Sequence, residues 1–465
     1  MDCKLQYHFE TDSESMGVER VIEQRYTVDR GIDSSRSATF IVEGHPDSFI
    51  DLGKCFIETK FRVVKENGDE LDEKDNVFPT EKYGNNMWAQ ANVSLNNTPL
   101  PPGNDYSYTA NLIDMLGSSQ DSRNYVMGVL AGNNDVYVDS SHVKHAYDAY
   151  YGDERLSCSK SRTVTIIDRV HSDFLMSCCQ LLPNGMQLGL TLIRNKDSFV
   201  LASMGDSTKN NYKIEIESVS LIVRRVIFNS KAHSMIARSL ASGGRLNYQK
   251  LQTVVYPCAK GSRSWTWHNC FGNLVPKQAF VMIVSQEAYF GSFARNSAFF
   301  ESAGVSRVRF CVDGRDVMAS PYTMEFKYDV ETGKTITWHD VAGSQIVLEN
   351  LKKDAKDYAE MKKKHETIKK MGGSDAIVPF AGLCRVIGTS TNPRQFLGVN
   401  YSQFVSGSTV FAVSMGHNGG HETTPGSFDV HIEFGAQTTE PYMVIVTGEF
   451  HKVIGFDANR NIVEM

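Results

Sequence analysis

The chain has 465 residues, of which 41% are hydrophobic and 10% aromatic, so it can bury sizeable cores and is long enough to predict two domains. Its 48 basic residues are outnumbered by 54 acidic ones, and the net charge of -6 argues against a protein that binds nucleic acid through bulk charge. No positive segment precedes an apolar core near the start, and no run of 18 apolar residues occurs, so we expect neither a secretory signal nor a transmembrane segment. The nine scattered cysteines, without any CxxC, predict reduced and mostly buried thiols.

The first part of the chain alternates apolar and polar residues in the way that is typical of strands with one buried face. Residues 38–64 predict two strands joined by a short turn of Gly, Pro and Asp, and residues 86–95 predict another. A short helix is expected at 106–116. The polar segment 117–160 is rich in Gly, Ser, Asn and Asp and lacks periodicity, which indicates a long surface insertion.

Strand patterns resume after this insertion and continue to a break. We expect these strands at 162–167, 171–178, 186–194 and 212–228. The third has Met186, Leu188, Leu190 and Leu192 alternating with polar or small residues, after a Pro-Asn-Gly turn. A short helix at 232–240 and the sequence ASGG at 241–244 then indicate a linker.

The second half repeats the theme with one helical interruption. Strands are expected at 251–256, 279–284, 307–312, 335–339, 428–434, 442–446 and 450–456. Asp313-Gly314 is a strong hairpin signal after the third of these. Residues 348–371 have apolar positions at helical spacing and predict an amphipathic helix of about six turns, ended by two glycines.

Each half therefore carries about eight strand signals, the number in a jelly roll. We predict an all-β protein made of two tandem eight-stranded jelly-roll sandwiches, a double jelly roll with loop and helical insertions. The N-terminal jelly roll is placed at 20–240, with its insertion at about 117–160. The C-terminal jelly roll is placed at 245–465, with its helical insertion at about 348–371.

Chemical motifs are weak throughout. The Gly333-Lys334-Thr335 sequence resembles the end of a phosphate loop, but the position five before Gly333 is Tyr328 instead of glycine. Neither the HxH pair of a cupin metal site nor the GxSxG of a serine hydrolase occurs. We therefore predict no catalytic, cofactor-binding or metal-binding residues, no cofactor and no enzymatic activity.

Three groups of side chains could have a binding function, and each can also be interpreted as an ordinary structural feature. His417, His421 and Glu422 could bind zinc but lie in a Gly-rich stretch that reads as an exposed loop, and His142 and His145 lack further ligands. Trp265 and Trp267, beside Arg263 and His268, could stack on a sugar or a base, although buried packing or a subunit contact is favoured. The eight lysines of 348–371 are offset by five acidic residues and indicate a solvated helix face, with DNA or an anionic membrane as the second reading.

Four stretches of this β pattern carry a resemblance to a known family. They are residues 181–201, 285–296, 307–326 and 428–463, the last containing VTGEFHKVIGFDANRNIV. In their order, spacing and β context, the chain resembles a double jelly-roll major capsid protein of the Polinton (Maverick) and adintovirus type. No single stretch is a chemical fingerprint, so the joint match carries the resemblance.

The resemblance implies a homotrimer, a pseudo-hexameric capsomer that tiles an icosahedral shell around a double-stranded DNA genome. Its partners would be neighbouring capsomers and the penton and minor capsid proteins, without sequence-specific nucleic acid binding. The protein would be made in the host cytoplasm and located in the virion capsid, with the nucleus as one option for assembly. Two alternatives stay open: a β-sandwich carbohydrate- or receptor-binding protein, and a β-sandwich hydrolase or cupin-like metal enzyme.

Overall fold

The computed structural model describes fourteen ranges or single residues of the chain, and all structural statements below concern them. They are residues 17–29, 37–72, 75, 77–80, 82–103, 105–117, 159–176, 181–203, 211–328, 336, 358–371, 373–387, 399–415 and 424–464.

The described part of the first half is built from strands with short helices between them. The strands are β1 (Val18–Asp29), β2 (Ser37–Val42), β3 (Ser48–Lys65), β4 (Val77–Pro79), β5 (Trp88–Leu95), β6 (Thr98–Pro99), β7 (Val164–Arg169), β8 (Leu181–Leu182), β9 (Leu188–Arg194), β10 (Leu201–Ser203) and β11 (Tyr212–Phe228). The helices are α1 (Tyr83–Asn86), α2 (Tyr106–Gly117), α3 (Asp197–Val200) and α4 (Ser230–Ser239), with a 3-10 turn at Ser159–Ser161.

The second half has the same character. Its strands are β12 (Gly244–Cys258), β13 (Ser264–Trp267), β14 (Leu274–Val275), β15 (Gln278–Ser285), β16 (Val305–Val312), β17 (Arg315–Asp316), β18 (Tyr322–Thr323), β19 (Val410–Ser414), β20 (Thr424–Pro425), β21 (Phe428–Phe434), β22 (Tyr442–Phe456) and β23 (Ile462–Glu464). Its helices are α5 (Gln286–Phe290), α6 (Tyr358–Met371), α7 (Ile377–Val386) and α8 (Tyr401–Ser406).

The strands form four main sheets, two in each half. Sheet I has the order β1-β11-β3-β7 and sheet II the order β2-β9-β5-β6. Sheet III has the order β12-β22-β15-β19 and sheet IV the order β13-β21-β16-β17. In each half, the eight strands of the two main sheets can be numbered 1 to 8 in chain order. Sheets I and III then both have the order 1-8-3-6, and sheets II and IV both have the order 2-7-4-5. Both halves therefore have one and the same strand order, that of a jelly roll, and the predicted double jelly roll is confirmed.

The alternating residues of the strands account for the sandwich of the first half. In sheet II, Phe40, Leu190 and Val93 lie side by side in register and are buried. Ala38 and Leu192 form the neighbouring buried pair. The residues between them point away from the core, as the period of a strand requires.

Insertions occur at the same place in both jelly rolls, between the fifth and sixth strands of the eight. In the first half, α2 and the segment that begins after it lie between β6 and β7. In the second, α6, α7 and α8 lie between β17 and β19. The predicted helix at 106–116 is confirmed as α2, and the last part of the predicted helix at 348–371 is α6. Residues 348–357 and 118–158 lie outside the described residues.

Most predicted strands are present, and the connections between them are also recovered. The Asp313-Gly314 turn joins β16 to β17, with φ of 50° and 75° at its two central residues, the left-handed geometry of a tight hairpin. The predicted linker 241–244 is a turn between α4 and β12. Gly243 adopts φ of 97°, and a Cβ atom there would overlap the carbonyl oxygen of Phe456. The two domain limits stay a prediction.

Two sequence-based expectations for individual strands are wrong, and one further strand was not expected at all. Residues 173–176, expected in a strand at 171–178, form a turn, closed by a 2.8 Å bond from Met176 N–H to the carbonyl of Ser172. The strands expected at 442–446 and 450–456 are the single strand β22, because β12 pairs with it without interruption from Gly244 to Cys258. Strand β1 was not predicted, because most of its side chains are exposed and polar, as befits an edge strand. Of the strand expected at 335–339, only Ile336 is described.

Candidate assembly surfaces

Helix α2 connects the two jelly rolls through both of its faces. Tyr106 and Ala110 belong to the hydrophobic core of the first half. Tyr108, Leu112 and Met115 belong to the core of the second half. The helix is therefore buried on nearly every side, which explains why its sequence lacks a polar stripe.

Helix α2 packs on the outer face of sheet III in the second half. The hydroxyl groups of Thr109, Thr253 and Thr447 form a chain of two 2.9 Å hydrogen bonds from α2 to β12 and on to β22. Register places Phe280 beside Thr447 and Met282 beside Ile445, so these apolar residues share that outer face. Strands β15 and β22 are consequently buried on both faces, and their sequences are almost continuously apolar.

Aromatic and polar contacts extend the junction beyond α2. The rings of Tyr108 and Tyr289 are stacked with centroids 5.7 Å apart, and the Tyr289 hydroxyl donates a 3.0 Å bond to Asp105. On the other side, Phe174 packs edge-on against Tyr248 at 5.8 Å. Apolar burial and oriented hydrogen bonds together hold the two sandwiches in one arrangement.

Buried ionisable groups lie below α2 in the first half. His171 Nε2 is 2.6 Å from Asp114 Oδ1, and Asp114 Oδ2 accepts a 2.8 Å bond from Asn85. Burial lowers the pKa of His171, but the Asp114 carboxylate more than offsets this and the pKa ends above its usual value. Burial raises the pKa of Asp168, against the opposing effect of His171. Burial thus favours the protonated form of Asp168, and the neighbouring carboxylates favour the charged form of His171.

Another buried carboxyl group, that of Asp173, contacts the second jelly roll directly. Its Oδ2 accepts a 3.0 Å bond from the backbone N–H of Leu251 in β12. Burial raises the pKa of Asp173 to about 7. Asp173, His171, Tyr106 and Tyr248 line a pocket of about 30 Å³, room for roughly one water molecule. The pocket is too small for an organic substrate.

The outer faces of sheets I and IV are charged. On sheet I, Arg25 makes two bonds of 2.7 and 2.8 Å to Glu58, and Arg62 makes bonds of 2.8 and 3.0 Å to Glu215. On sheet IV, the corresponding ion pairs are Arg307–Glu433 at 3.5 Å and Arg309–Asp316 at 3.3 Å, and His268 Nδ1 lies 3.2 Å from Asp429. Such faces keep their ion pairs hydrated and are costly to cover with an uncharged surface.

The outer face of sheet II is different, because none of its residues is charged. Nine residues form three rows across β2, β9 and β5: Ser37, Ile193 and Gln90; Thr39, Thr191 and Asn92; Ile41, Gly189 and Ser94. Ile41 is 52% exposed and Ile193 is 38% exposed. We call these nine residues the uncharged face. The alternation predicted for 186–194 is present in β9, whereas the common lack of charge becomes visible only when the sheet brings β2, β9 and β5 side by side.

The structure places the two tryptophans of the sequence analysis on β13 in different surroundings. Trp265 is 8% exposed, and its indole N–H donates a 3.0 Å bond to the Pro257 carbonyl, which is the packing role expected of it. Trp267 is 37% exposed and stacks on Tyr256 with ring centroids 3.8 Å apart. Of these two tryptophans, only Trp267 therefore presents an aromatic surface to solvent.

The other candidate ligands are not brought into a described site. His142, His145, Gly333, Lys334, Thr335, His417, His421 and Glu422 lie outside the described residues. Within the ranges that the structure describes, no three His, Cys, Asp or Glu side chains are grouped as metal ligands, and no helix has both the length and the apolar character needed to cross a membrane. Cys55, Cys258, Cys270 and Cys311 are buried free thiols.

Comparison with known proteins gives independent support for the fold. No protein-family model and no curated protein sequence matches it. Solved structures do match over nearly the whole length, and those neighbours are double jelly-roll major capsid proteins. A chain of the Sputnik virophage structure aligns over 99% of this chain and 91% of its own, with a TM-score of 0.54 and 11% identity.

Two further neighbours give the same result. The major capsid protein of mavirus aligns over 100% of this chain and 95% of its own, with a TM-score of 0.50 and 11% identity. The major capsid protein of Faustovirus aligns over 96% and 92%, with a TM-score of 0.52 and 7% identity. At such identities the likeness establishes the architecture, two jelly rolls in tandem, and leaves function to be argued from the surfaces.

Proposed function

We propose that this protein is a structural major capsid protein, a shell subunit without enzymatic activity. The observation that carries the proposal is the junction at α2. It joins two sandwiches of identical strand order into one unit through an apolar, doubly buried sheet III. A unit whose two sandwiches are joined by buried contacts suits repeated lateral contact, and the likeness to capsid proteins covers nearly the entire chain.

Within this proposal, three copies form a trimer with a pseudo-hexagonal outline, because each copy supplies two similar jelly rolls. The trimers tile an icosahedral shell around a double-stranded DNA genome, together with penton and minor capsid proteins, and the protein is located in the virion capsid. The four resembling stretches suggest the Polinton and adintovirus type.

The mass of the purified full-length protein tests this proposal. Native mass spectrometry, with negative-stain images of the same sample, is expected to give three copies in a stubby pseudo-hexagonal particle. A monomer at all accessible concentrations would contradict the capsid proposal. The matched control is a denatured sample of the same protein, which fixes the mass of a single chain.

A carbohydrate- or receptor-binding role is the second candidate, and the exposed stack of Trp267 on Tyr256 favours it. Sugars bind to exposed aromatic faces that are already ordered. A glycan array with the Trp267→Ala protein decides the matter, because loss of a measured affinity in this variant alone would support binding. Trp265→Phe serves as the control, since it changes a buried aromatic residue of the same strand and leaves the exposed ring of Trp267 in place.

A further inference from the structure

Each of the four main sheets has one outer face. For three of these faces, the structure shows either what covers them or why they stay in contact with water. Sheet III is covered by α2 of the same chain. Sheets I and IV carry ion pairs that favour water. In the uncharged face of sheet II, four of the nine residues are exposed and five are half-buried, and none of the nine carries an ion pair that favours water. It belongs to a chain in which 22% of residues are charged.

We propose that the uncharged face of sheet II packs against the same face of a second copy of this chain, across a two-fold axis. This inference rests on the proposed function, in which it supplies a contact between neighbouring trimers. A charged sheet I or IV on another copy is a poor partner, because its ion pairs would lose hydration without new partners. The same uncharged face on a second copy can be covered without removing water from any ion pair.

The arrangement of side chains fits such a contact in shape as well as in charge. Thr191 is the central residue of the nine, with Gly189 two positions before it and Ile193 two positions after it on β9. A two-fold axis that passes through Thr191 across the strands places Ile193 of each copy over Gly189 of the other. The Ser94 hydroxyl already occupies the space beside Gly189, so Ile193 of one copy packs over a row whose central residues, Gly189 and Ser94, are small.

The hydrogen-bonding groups also suit a like partner. Thr39 and Thr191 are bonded to each other at 3.3 Å across the strands. Their hydroxyls, with the amides of Gln90 and Asn92, can both donate and accept, so a face that carries them can bond to its own copy. Strand spacing gives the face an area of roughly 250 Å². This is small for a stable dimer, so the contact is weak alone and gains strength when many copies assemble.

The test is to introduce a charge at the centre of the uncharged face. Thr191→Glu and Thr191→Lys each place two like charges at the two-fold axis, and each is expected to weaken association between trimers at least about tenfold. An equimolar mixture of the two variants is expected to regain association, because opposite charges then meet. Sedimentation velocity measures both the trimer and the larger species on the full-length protein.

The control is Thr266→Glu, which adds the same charge to an exposed threonine on β13 of sheet IV and is expected to leave association unchanged. Where wild-type trimers form, a failure of these trimers to associate, or unaltered association in both Thr191 variants, would overturn the inference. So would loss of the trimer itself, because a three-fold contact cannot join identical faces. If no trimer forms but a dimer depends on Thr191 and returns in the mixture, the capsid proposal fails while this inference holds.

Discussion

His171 Nε2 lies 2.6 Å from Asp114 Oδ1 in the interior of the first jelly roll, directly below the helix that joins the two halves. Asp114 is on α2 and His171 follows β7, so the pair fixes the helix to the sandwich. Both side chains are buried. The state of their protons is therefore coupled to the stability of the junction.

The first prediction concerns pH. The pKa of His171 is raised in the folded protein, so its contribution to stability is present below the usual histidine pKa and is lost as pH rises through the folded value. The pKa values of Asp168 and Asp173 are raised by burial, from 3.8 to about 7 for Asp173, so their ionisation costs stability as pH rises over that window. All three groups act in the same direction. We expect a smaller free energy of unfolding at about pH 8 than at about pH 5.5, measured by urea denaturation. Equal stability at both values would contradict the assignment.

The second prediction isolates Asp173. Asp173→Asn keeps an oxygen that accepts the Leu251 N–H bond but removes the buried charge. We expect the variant to be more stable than the wild-type protein at about pH 8, by on the order of 1–3 kcal/mol, and nearly equal to it at about pH 5. Denaturation at both pH values measures the difference. Asp47→Asn, at an exposed position, is the control and should change stability little at either pH. A loss of stability at both pH values would show that the charge is needed.

The third prediction concerns the threonine chain at the junction. Thr447→Val keeps the shape of the side chain but removes the hydroxyl that bonds Thr253. Because both residues are buried, we expect a loss of about 1–2 kcal/mol in the free energy of unfolding. Thermal denaturation measures the loss, and Thr165→Val at an exposed position of β7 is the control. An unchanged melting temperature would mean that water replaces the lost bond.

The fourth prediction concerns close packing in the second jelly roll. A Cβ atom at Gly448 would lie 2.7 Å from the ring of Phe271, so Gly448→Ala forces the ring or β22 to move. We expect a cost of about 1–3 kcal/mol, as for other overpacked cores. Gly103→Ala is the matched control, because a Cβ atom there would have no neighbour within 4 Å. Equal stability of the two variants would show that the ring of Phe271 adjusts freely.

The sequence by itself determined the fold class, because alternation is a local property of strands. The alternation of Leu188, Leu190 and Leu192 predicted a strand with one buried face in the first half. The Asp313-Gly314 sequence predicted a hairpin in the second half. The resemblance of four stretches added the double jelly roll, which the strand order confirms. Errors arose where the local pattern was ambiguous, as in β22, whose turn-like Thr447-Gly448 is carried straight through by pairing with β12.

Only the tertiary structure decided which faces meet and which stay open. Thr109, Thr253 and Thr447 are unremarkable polar residues in the sequence, and they become a buried chain because α2 lies on sheet III. Asp173 looked like part of a strand, and its pKa shift exists because β12 covers it. The uncharged face collects residues from β2, β5 and β9, which are far apart in the chain. Burial, proton affinity and surface charge depend on neighbours in space, and a sequence read locally contains none of them.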